Sequence, residues 1–134
     1  MQVIGIGVDI VKNKRIEISL KNKKFINRTF GKNEILNSKK IKNKINYFSK
    51  RFAAKEAFVK ALGTGFRNGF NLRDIQIIND KLGKPCYFIN SNIKNFIKKK
   101  KKVKNVNLFL SISDEKEFSI AFALIEKISW KKIL

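Results

Sequence analysis

The chain reads FSKRFAAKEAFVKAL over residues 48–62, and this stretch predicts its longest helix. Ala, Lys, Glu and Leu favour helical backbone, and Gly63 follows as a typical C-terminal stop. At about 100° per residue, one apolar face is formed by Phe48, Phe52, Val59 and Leu62. We therefore expect a long central helix that packs against the rest of the fold.

The residues before this helix predict a strand followed by helices. Residues 3–11, VIGIGVDIV, are dominated by β-branched side chains and predict a central, buried strand. Gly5 and Gly7 interrupt that strand, and they would let a neighbouring backbone or a ligand approach closely. Residues 13–28 predict one helix, and residues 34–41 favour a second, shorter one.

The residues after the central helix predict a hairpin and a further helix. Two short strands, at residues 74–79 and 86–89, would pair with each other. Gly83 and Pro85 mark the turn between them. Residues 92–102 favour a helix.

Two strands are predicted near the end of the chain. Apolar and polar side chains alternate over residues 106–113, and residues 114–117 would form a turn. Residues 118–125 are apolar on both faces and predict a buried strand. The order of strand, helices and then mostly strands predicts an α+β fold. We expect a single domain over residues 1–134, in which a mostly antiparallel sheet packs against the central helix.

The charge of the chain is extreme for its length. Its 134 residues include 31 Lys and Arg against 10 Asp and Glu, which gives a formal charge of +21. Nucleic acid is one partner that such a surface would attract, because lysines that neutralise phosphates release counterions. Codon bias is the other explanation, since 26 of the basic residues are Lys and the chain is also rich in Asn and Ile. In either case we expect attraction to acidic or phosphorylated partners.

The composition excludes several kinds of site. Apolar residues make up 43% of the chain, enough for a packed core. Cys86 is the only cysteine, which excludes an internal disulfide and a cysteine-rich zinc site. Histidine is absent, so catalysis would depend on carboxylates, lysines, hydroxyls, water or a metal held by oxygen. No apolar run has the length of a membrane helix and the N-terminus predicts a strand, so a cytoplasmic location is expected.

Two carboxylates are candidates for chemistry. Asp9 lies within the apolar first strand, where an ionised carboxylate is unfavourable unless it is paired or binds a cation. The alternative is an ordinary, exposed Asp just past the strand. Glu56 borders the apolar face of the central helix and forms an i,i+4 pair with Lys60, which could equally be a surface ion pair. If Asp9 lies near Glu56, the two would supply the hard oxygen ligands that Mg²⁺ takes from a protein.

Two further motifs are weak on their own. Gly63-Thr64-Gly65 could expose backbone N–H groups to a phosphate, but it is also a routine helix C-cap. Residues 98–102 are five adjacent lysines, which would point all round a helix. Such a run is more typical of a solvated helix end than of a binding face.

Four stretches of the chain match the motifs of one known family. They are GIGVDIV at residues 5–11, RFAAKEAFVKALGTG at residues 51–65, GKP at residues 83–85 and SIS at residues 111–113. The motifs follow the family's order and span almost the whole chain. The chain thereby resembles the holo-[acyl-carrier-protein] synthases, which are bacterial phosphopantetheinyl transferases. The resemblance implies a compact phosphopantetheinyl transferase-like domain.

The resemblance also implies a reaction. Family members transfer 4′-phosphopantetheine from coenzyme A to a serine of apo acyl carrier protein and release adenosine 3′,5′-bisphosphate. Asp9 and Glu56 would bind Mg²⁺ and act in catalysis together with Lys60, which could reach a phosphate or the attacking serine. Contacts to coenzyme A are expected from Arg51, Lys60, Gly63 and Lys84.

The partners implied by the resemblance are proteins. The family is typically a homotrimer with each active site shared between neighbouring chains, and its acidic carrier protein serves fatty acid biosynthesis. The early basic helix would dock that carrier through Arg15, Lys24, Phe25 and Arg28. Membranes and nucleic acids are not expected as partners. The alternative function, which the charge alone would suggest, is a small basic nucleic-acid-binding module.

One residue departs from the family pattern. The family usually has His after Ser-Ile-Ser, whereas this chain has Asp114. Near a metal this carboxylate could be a third ligand or a base, and near coenzyme A it would repel phosphate. It could also simply begin the turn that follows, where Asp is favoured. Asp114 is the one reason to consider a family member without activity.

Overall fold

The computed structural model describes residues 2–64 and 71–128. The elements of the described chain are β1 (Gln2–Lys12), α1 (Asn13–Ser19), α2 (Lys23–Thr29), α3 (Lys32–Ser38), α4 (Lys44–Leu62), β2 (Ile75–Asn79), β3 (Pro85–Ile89), α5 (Ser91–Lys101), β4 (Val106–Asp114) and β5 (Phe118–Lys127). A 3₁₀ turn at Leu72–Asp74 precedes β2. Within these ranges no helix has both the length and the apolar character needed to cross a membrane.

The strands form two antiparallel groups. One sheet has the order β1–β5–β4, and β2 pairs with β3 in the predicted hairpin. In the larger sheet Asp9 lies opposite Ala121, and Ala121 lies opposite Ile112. The α+β architecture predicted from the sequence is thus confirmed, with antiparallel strands packed against α4.

The helix α4 is the centre of the fold. It begins earlier than predicted, because the Asn43 side chain accepts a hydrogen bond from the Asn46 backbone nitrogen at 3.0 Å and caps the first turn. It ends where predicted, at Gly63, whose φ of 74° is a left-handed conformation that glycine adopts without strain. The three-stranded sheet covers one side of α4, and α1, α3 and β2 pack on the others. Ala57 and Phe58 are accordingly buried.

Two strands differ from their predictions. The sequence predicts β1 to be central, but β5 lies between β1 and β4, and β1 is an edge strand. The sequence also predicts β5 to be buried on both faces. Ala121 and Ala123 are indeed buried against the core, but Ile120 and Phe122 are exposed on the other face. A strand that is apolar on both faces does not by itself reveal whether the same chain covers both.

The helix predicted at residues 13–28 is two separate helices. The first ends at Ser19, and the second follows Asn22, whose side chain accepts a hydrogen bond from the Lys24 backbone nitrogen at 2.9 Å. An Asn in this position favours a new helix start over a continued helix. The break lets α2 contact the 3₁₀ turn that precedes β2.

Candidate active site

The strand β1 and the helix α4 lie in direct backbone contact. A Cβ atom on Gly7 would lie 2.6 Å from the Ala61 backbone nitrogen, and one on Gly5 would overlap the Ala61 carbonyl oxygen. Any side chain at these two positions would force the strand away from the helix. Gly5 and Gly7 were predicted to let a neighbouring backbone or a ligand approach closely, and the neighbour is the backbone of α4. Because side chains alternate along a strand, Asp9 shares the inward face with Gly7 and points towards the helix.

Asp9 meets Lys60 at this contact. The Lys60 Nζ atom lies 3.1 Å from Oδ1 of Asp9 and also donates a hydrogen bond to the Val8 carbonyl oxygen at 3.0 Å. The Asp9 side chain is 16% exposed, whereas that of Lys60 is 56% exposed. Asp9 is therefore held in a largely enclosed position with an exposed cation at its rim.

Glu56 lies beside this ion pair, one helical turn before Lys60. Burial raises the pKa of the Glu56 carboxyl above its usual value, and the nearby charge of Asp9 raises it further. Burial also raises the pKa of Asp9, although its hydrogen bond to Lys60 acts in the opposite direction. The positive charge of Arg15 opposes both increases, but the pKa values of Asp9 and Glu56 stay above their usual values. The two carboxylates thus form a partly buried acidic pair that is unfavourable to ionise.

A divalent cation fits this pair. Its charge would offset both the burial of the carboxylates and their mutual repulsion. Within the described ranges, no third Asp, Glu, Cys or His joins them. Asp9 and Glu56 would therefore supply two hard oxygen ligands and leave the other positions for water and a ligand's phosphates. This is the coordination that Mg²⁺ commonly takes in proteins.

A second polar cluster lies near the N-terminal end of α4. The Arg51 guanidinium stacks on the Tyr47 ring, with 3.6 Å from Cζ to the ring centroid, and donates a hydrogen bond to Asn79 Oδ1 at 3.2 Å. Burial lowers the pKa of Arg51. A cavity of about 140 Å³ opens beside it, and its polar lining includes Lys50, Arg51, Asn79 and Asp114. The two cations outnumber the single carboxylate of Asp114, so the lining keeps a net positive charge that would favour an anionic ligand.

Asp114 belongs to this second cluster. It is the last residue of β4 and lies opposite Ser119, so it does not begin the turn. Its Oδ2 atom accepts a hydrogen bond from Asn46 Nδ2 at 2.6 Å. Asp114 is not grouped with Asp9 and Glu56 in any cluster of three metal-ligating side chains in the described chain. Asp114 lines the cavity beside Arg51, and its contact with a ligand stays a prediction.

Residues 5–123 match the family model described as ACPS, the 4′-phosphopantetheinyl transferase superfamily. The chain belongs to this family. The resemblance to the holo-[acyl-carrier-protein] synthases and the predicted enzyme class are confirmed by relatives that carry this name. One from Pelagibacter ubique (strain HTCC1062) is 57% identical over 127 residues, covering 95% of this chain and 99% of the relative. Another, from Clostridium tetani (strain Massachusetts / E88), is 43% identical and covers 92% of this chain and 96% of its own.

Solved structures of the same family share the fold. The holo-[acyl-carrier-protein] synthase of Neisseria meningitidis matches with a TM-score of 0.84 and 38% identity, over 94% of this chain and 100% of that one. The Bacillus anthracis enzyme, solved in complex with CoA (3′,5′-ADP), matches with a TM-score of 0.79 and 34% identity, over 96% of this chain and 100% of that one. A phosphopantetheinyl transferase fold thus carries both polar clusters.

The residues predicted to form the transferase site fall into two groups. Asp9, Glu56 and Lys60 come together between β1 and α4. Arg51 precedes Glu56 by five residues and Lys60 by nine on the same helix, which is about 7.5 and about 13.5 Å along the helix axis, and its side chain contacts Tyr47 and Asn79 instead. Lys84 is in the hairpin turn, where its backbone nitrogen donates a hydrogen bond to Asp80 Oδ1 at 2.9 Å. Gly63 ends α4 next to the first group, and Gly65 lies outside the described residues.

The residues predicted to dock a carrier protein lie on the first two helices. Arg15, Lys24 and Arg28 are exposed. Phe25 is only partly exposed, since its ring packs against Phe30 and Phe52 at centroid distances of 6.1 and 6.0 Å. In this phosphopantetheinyl transferase the basic surface therefore adjoins the acidic pair through Arg15, and Phe25 also supports the core.

Sequence reasoning missed a buried ion pair. The Lys55 Nζ atom lies 2.6 Å from Oε1 of Glu34, and the two side chains are 0% and 2% exposed. A signal was present, because Lys55 falls between Phe52 and Val59 on the apolar face of α4. A lysine at such a position requires a buried partner.

Proposed function

We propose that this chain transfers the 4′-phosphopantetheine group from coenzyme A to a serine of an apo acyl carrier protein, in a Mg²⁺-dependent reaction. The second product would be adenosine 3′,5′-bisphosphate, and the holo carrier would serve fatty acid biosynthesis in the cytoplasm. The observation that carries the proposal is the partly buried pair of Asp9 and Glu56 with Lys60 at its rim. Relatives named holo-[acyl-carrier-protein] synthase support the choice of substrates.

The residues of the first cluster would act on the diphosphate of coenzyme A. Asp9 and Glu56 would hold Mg²⁺, which neutralises phosphate charge when it is bound. Lys60 is exposed enough to turn towards a phosphate oxygen or the serine hydroxyl. The serine oxygen would form a bond to phosphorus, the bond from phosphorus to the departing bisphosphate would break, and the serine proton would pass to a carboxylate or to water. Histidine cannot take this proton, since the chain has none.

The second cluster of one copy of the chain would bind coenzyme A that is held at the first cluster of a neighbouring copy. Arg51 and Lys84, the other predicted contacts to coenzyme A, do not join Asp9 and Glu56 in one chain. Both clusters would meet if two copies packed with the first cluster of one against the second cluster of the other. A shared site of this kind is our explanation for the split.

An exposed apolar face on the three-stranded sheet supports such an assembly. Six large side chains on the face turned away from α4 are between 39% and 60% exposed: Ile6, Val8, Ile10, Phe109, Ile120 and Phe122. An exposed apolar surface of this kind is typical of a contact between proteins. It continues to the first cluster, because a depression of about 350 Å³ is lined by Ile6, Val8, Lys60 and Phe122. We therefore propose a homotrimer in which a partner copy covers this face.

An acidic carrier protein would dock on the basic surface of α1 and α2. Arg15, Lys24 and Arg28 are exposed there, and the formal charge of the chain is +21. Opposite charges accelerate the encounter of two proteins and are screened by salt. Arg15 is near enough to affect the pKa of Glu56, so a docked carrier would place its serine close to the acidic pair.

Mass spectrometry of the carrier tests the proposed reaction. The purified protein is mixed with apo acyl carrier protein, coenzyme A and Mg²⁺, and a parallel sample contains EDTA. We expect the carrier to gain the mass of one phosphopantetheine group, and EDTA to prevent the gain. The Glu56→Gln variant should lose transfer, while Glu17→Gln, which removes an exposed carboxylate on α1, should keep it.

The proposal fails if the carrier gains no mass while a relative modifies the same preparation. It also fails if Glu56→Gln transfers the group as fast as the unchanged protein. RNA binding that is lost at high salt and is unaffected by Glu56→Gln, in a protein without transfer activity, would favour the nucleic-acid-binding alternative.

A further inference from the structure

The buried ion pair of Lys55 and Glu34 lies within a fully satisfied hydrogen-bond network. The Lys55 ammonium group donates to Glu34 Oε1 at 2.6 Å, to the Leu72 carbonyl oxygen at 3.1 Å and to the Ile75 carbonyl oxygen at 2.5 Å. These three acceptors use all three of its N–H bonds. The ammonium group therefore has a defined position rather than the freedom of a surface lysine.

Glu34 is equally constrained. Its Oε1 atom accepts a hydrogen bond from the Gly31 backbone nitrogen at 2.9 Å, and its Oε2 atom accepts one from the Ile77 backbone nitrogen at 3.2 Å. Its own carbonyl oxygen accepts a hydrogen bond from the Tyr47 hydroxyl at 2.7 Å. The pair thus connects the middle of α4 to α3, to the 3₁₀ turn and to β2.

Lys55 precedes Glu56, which belongs to the acidic pair. Consecutive helical residues differ by about 100° in direction, so Lys55 points into the core while Glu56 points towards Asp9. Gly7 and Ala61 allow β1 and α4 to touch, but a contact between a glycine and a small residue does not prevent the helix from turning about its axis. The buried side chains of α4 resist such rotation through packing, and the three hydrogen bonds of Lys55 add a directional constraint at the position next to Glu56.

We propose that Lys55 and Glu34 are positioning residues, which fix the rotation of α4 so that Glu56 and Asp9 bind one divalent cation together. This inference rests on the proposed function, because it assumes that these carboxylates hold the metal. Residues that orient metal ligands without touching the metal commonly change metal affinity by about 10- to 100-fold. Small displacements of a ligand are sufficient for such losses.

Metal binding by a variant without the charges tests this inference. The double variant Glu34→Gln/Lys55→Met keeps similar side-chain volumes and leaves no unpaired charge in the core. The control is Ile93→Ala, which removes a fully buried side chain on α5 and lowers stability without touching the pair. Mn²⁺ binding is measured by electron paramagnetic resonance in the presence of coenzyme A, at a temperature where thermal unfolding shows all variants to be folded. Circular dichroism verifies the helix content.

We expect Mn²⁺ affinity to fall at least about 10-fold in the double variant and to stay within about twofold in Ile93→Ala, in line with the usual effect of residues that orient ligands. If both variants bind Mn²⁺ as tightly as the unchanged protein, the pair has only a structural role and the inference is wrong. Equal losses in the two variants would also overturn it, because general loosening would then explain the effect. Glu56→Gln is measured in parallel: if it binds Mn²⁺ normally, the proposed metal site itself is wrong.

Discussion

The ammonium group of Lys60 forms an ion pair with Asp9 across the junction of β1 and α4, with 3.1 Å between Nζ and Oδ1. Lys60 also donates to the Val8 carbonyl oxygen. One cation thus occupies the rim of the acidic pair. Its exposed side chain could exchange these contacts for a phosphate without any change in the backbone.

We expect Lys60→Ala to lower kcat/KM for coenzyme A by about 10- to 100-fold, or about 1.4 to 2.7 kcal/mol of transition-state stabilisation. The free energy of unfolding should change by less than about 1 kcal/mol, because the lysine is mostly exposed. Steady-state kinetics and denaturant unfolding measure the two effects. Lys39→Ala, which removes an exposed lysine after α3, should change neither. An unchanged kcat/KM for Lys60→Ala would exclude a role for Lys60 at the phosphate.

Glu56→Gln should stabilise the metal-free protein near pH 7 while it abolishes transfer. The pKa of Glu56 is raised above 4.5 in the fold, so its ionised form opposes folding at pH values above the raised pKa. Below pH 4.5 the Glu56 carboxyl is protonated in both the folded and the unfolded protein, so it no longer destabilises the fold. Thermal unfolding in EDTA between pH 4 and 8 should therefore show a higher Tm for the variant at pH 7 and equal Tm values near pH 4. A lower Tm for the variant at pH 7 would contradict this account.

Gly7→Ala should separate β1 from α4. The added methyl group would meet the backbone of Ala57 and Ala61, which cannot move aside as a flexible side chain would. We expect a loss of about 1–3 kcal/mol in the free energy of unfolding, as is usual for overpacking, together with weaker Mn²⁺ binding. Denaturant unfolding and Mn²⁺ titration measure these effects. Gln2→Ala, at an exposed position of the same strand, is the control, and comparable losses there would point to a different cause.

Charge reversal on α2 should weaken binding of the carrier protein. In Lys24→Glu/Arg28→Glu we expect KM for the acidic carrier to rise about 10-fold or more at low salt, with little change in KM for coenzyme A. Lys99→Glu/Lys101→Glu on α5 makes the same change in net charge and serves as the control. If the two variants raise KM for the carrier equally, net charge and not the surface of α2 determines binding. The result also tests the interpretation of residues 98–102 as a solvated helix end.

A shared active site predicts complementation between two inactive variants. Glu56→Gln disables the first cluster and Arg51→Ala the second. If each site takes Glu56 from one chain and Arg51 from its neighbour, an equal mixture that assembles at random restores roughly a quarter of the sites. Co-expression of the two variants, followed by the carrier mass assay, measures the recovery. Absence of recovery in a mixture shown by native mass spectrometry to contain both variants would mean that one chain supplies both residues.

The residues that form the first cluster could be predicted from local patterns. The alanine-rich stretch and Gly63 identify α4 and its end, and the glycines of β1 identify a strand in close contact with a neighbour. Asp9 stands out as a carboxylate in an apolar strand. The sequence only suggested that Asp9 and Glu56 lie close together, and their proximity follows from the direct contact of β1 with α4.

Other features depend on contacts that no local pattern contains. The partner of Lys55 is Glu34, which is distant in sequence, so periodicity reveals the buried lysine but not the residue that neutralises it. The edge position of β1 is determined by pairing with β5, and an apolar outer face has the same pattern whether its own chain or another covers it. The end of α1 at Ser19 lacks a glycine or proline signal, and only the Asn22 cap marks the restart.

The full burial of Lys55 also gives the protein a built-in reporter of its own opening. An amine-reactive reagent reaches a lysine only when the nitrogen is accessible and deprotonated, and in the fold this nitrogen has no exposure and no free N–H bond. The exposed lysines would be labelled within the native state. Label at Lys55 would accumulate only in chains that have unfolded around α4, so its rate would record how often the centre of the molecule opens.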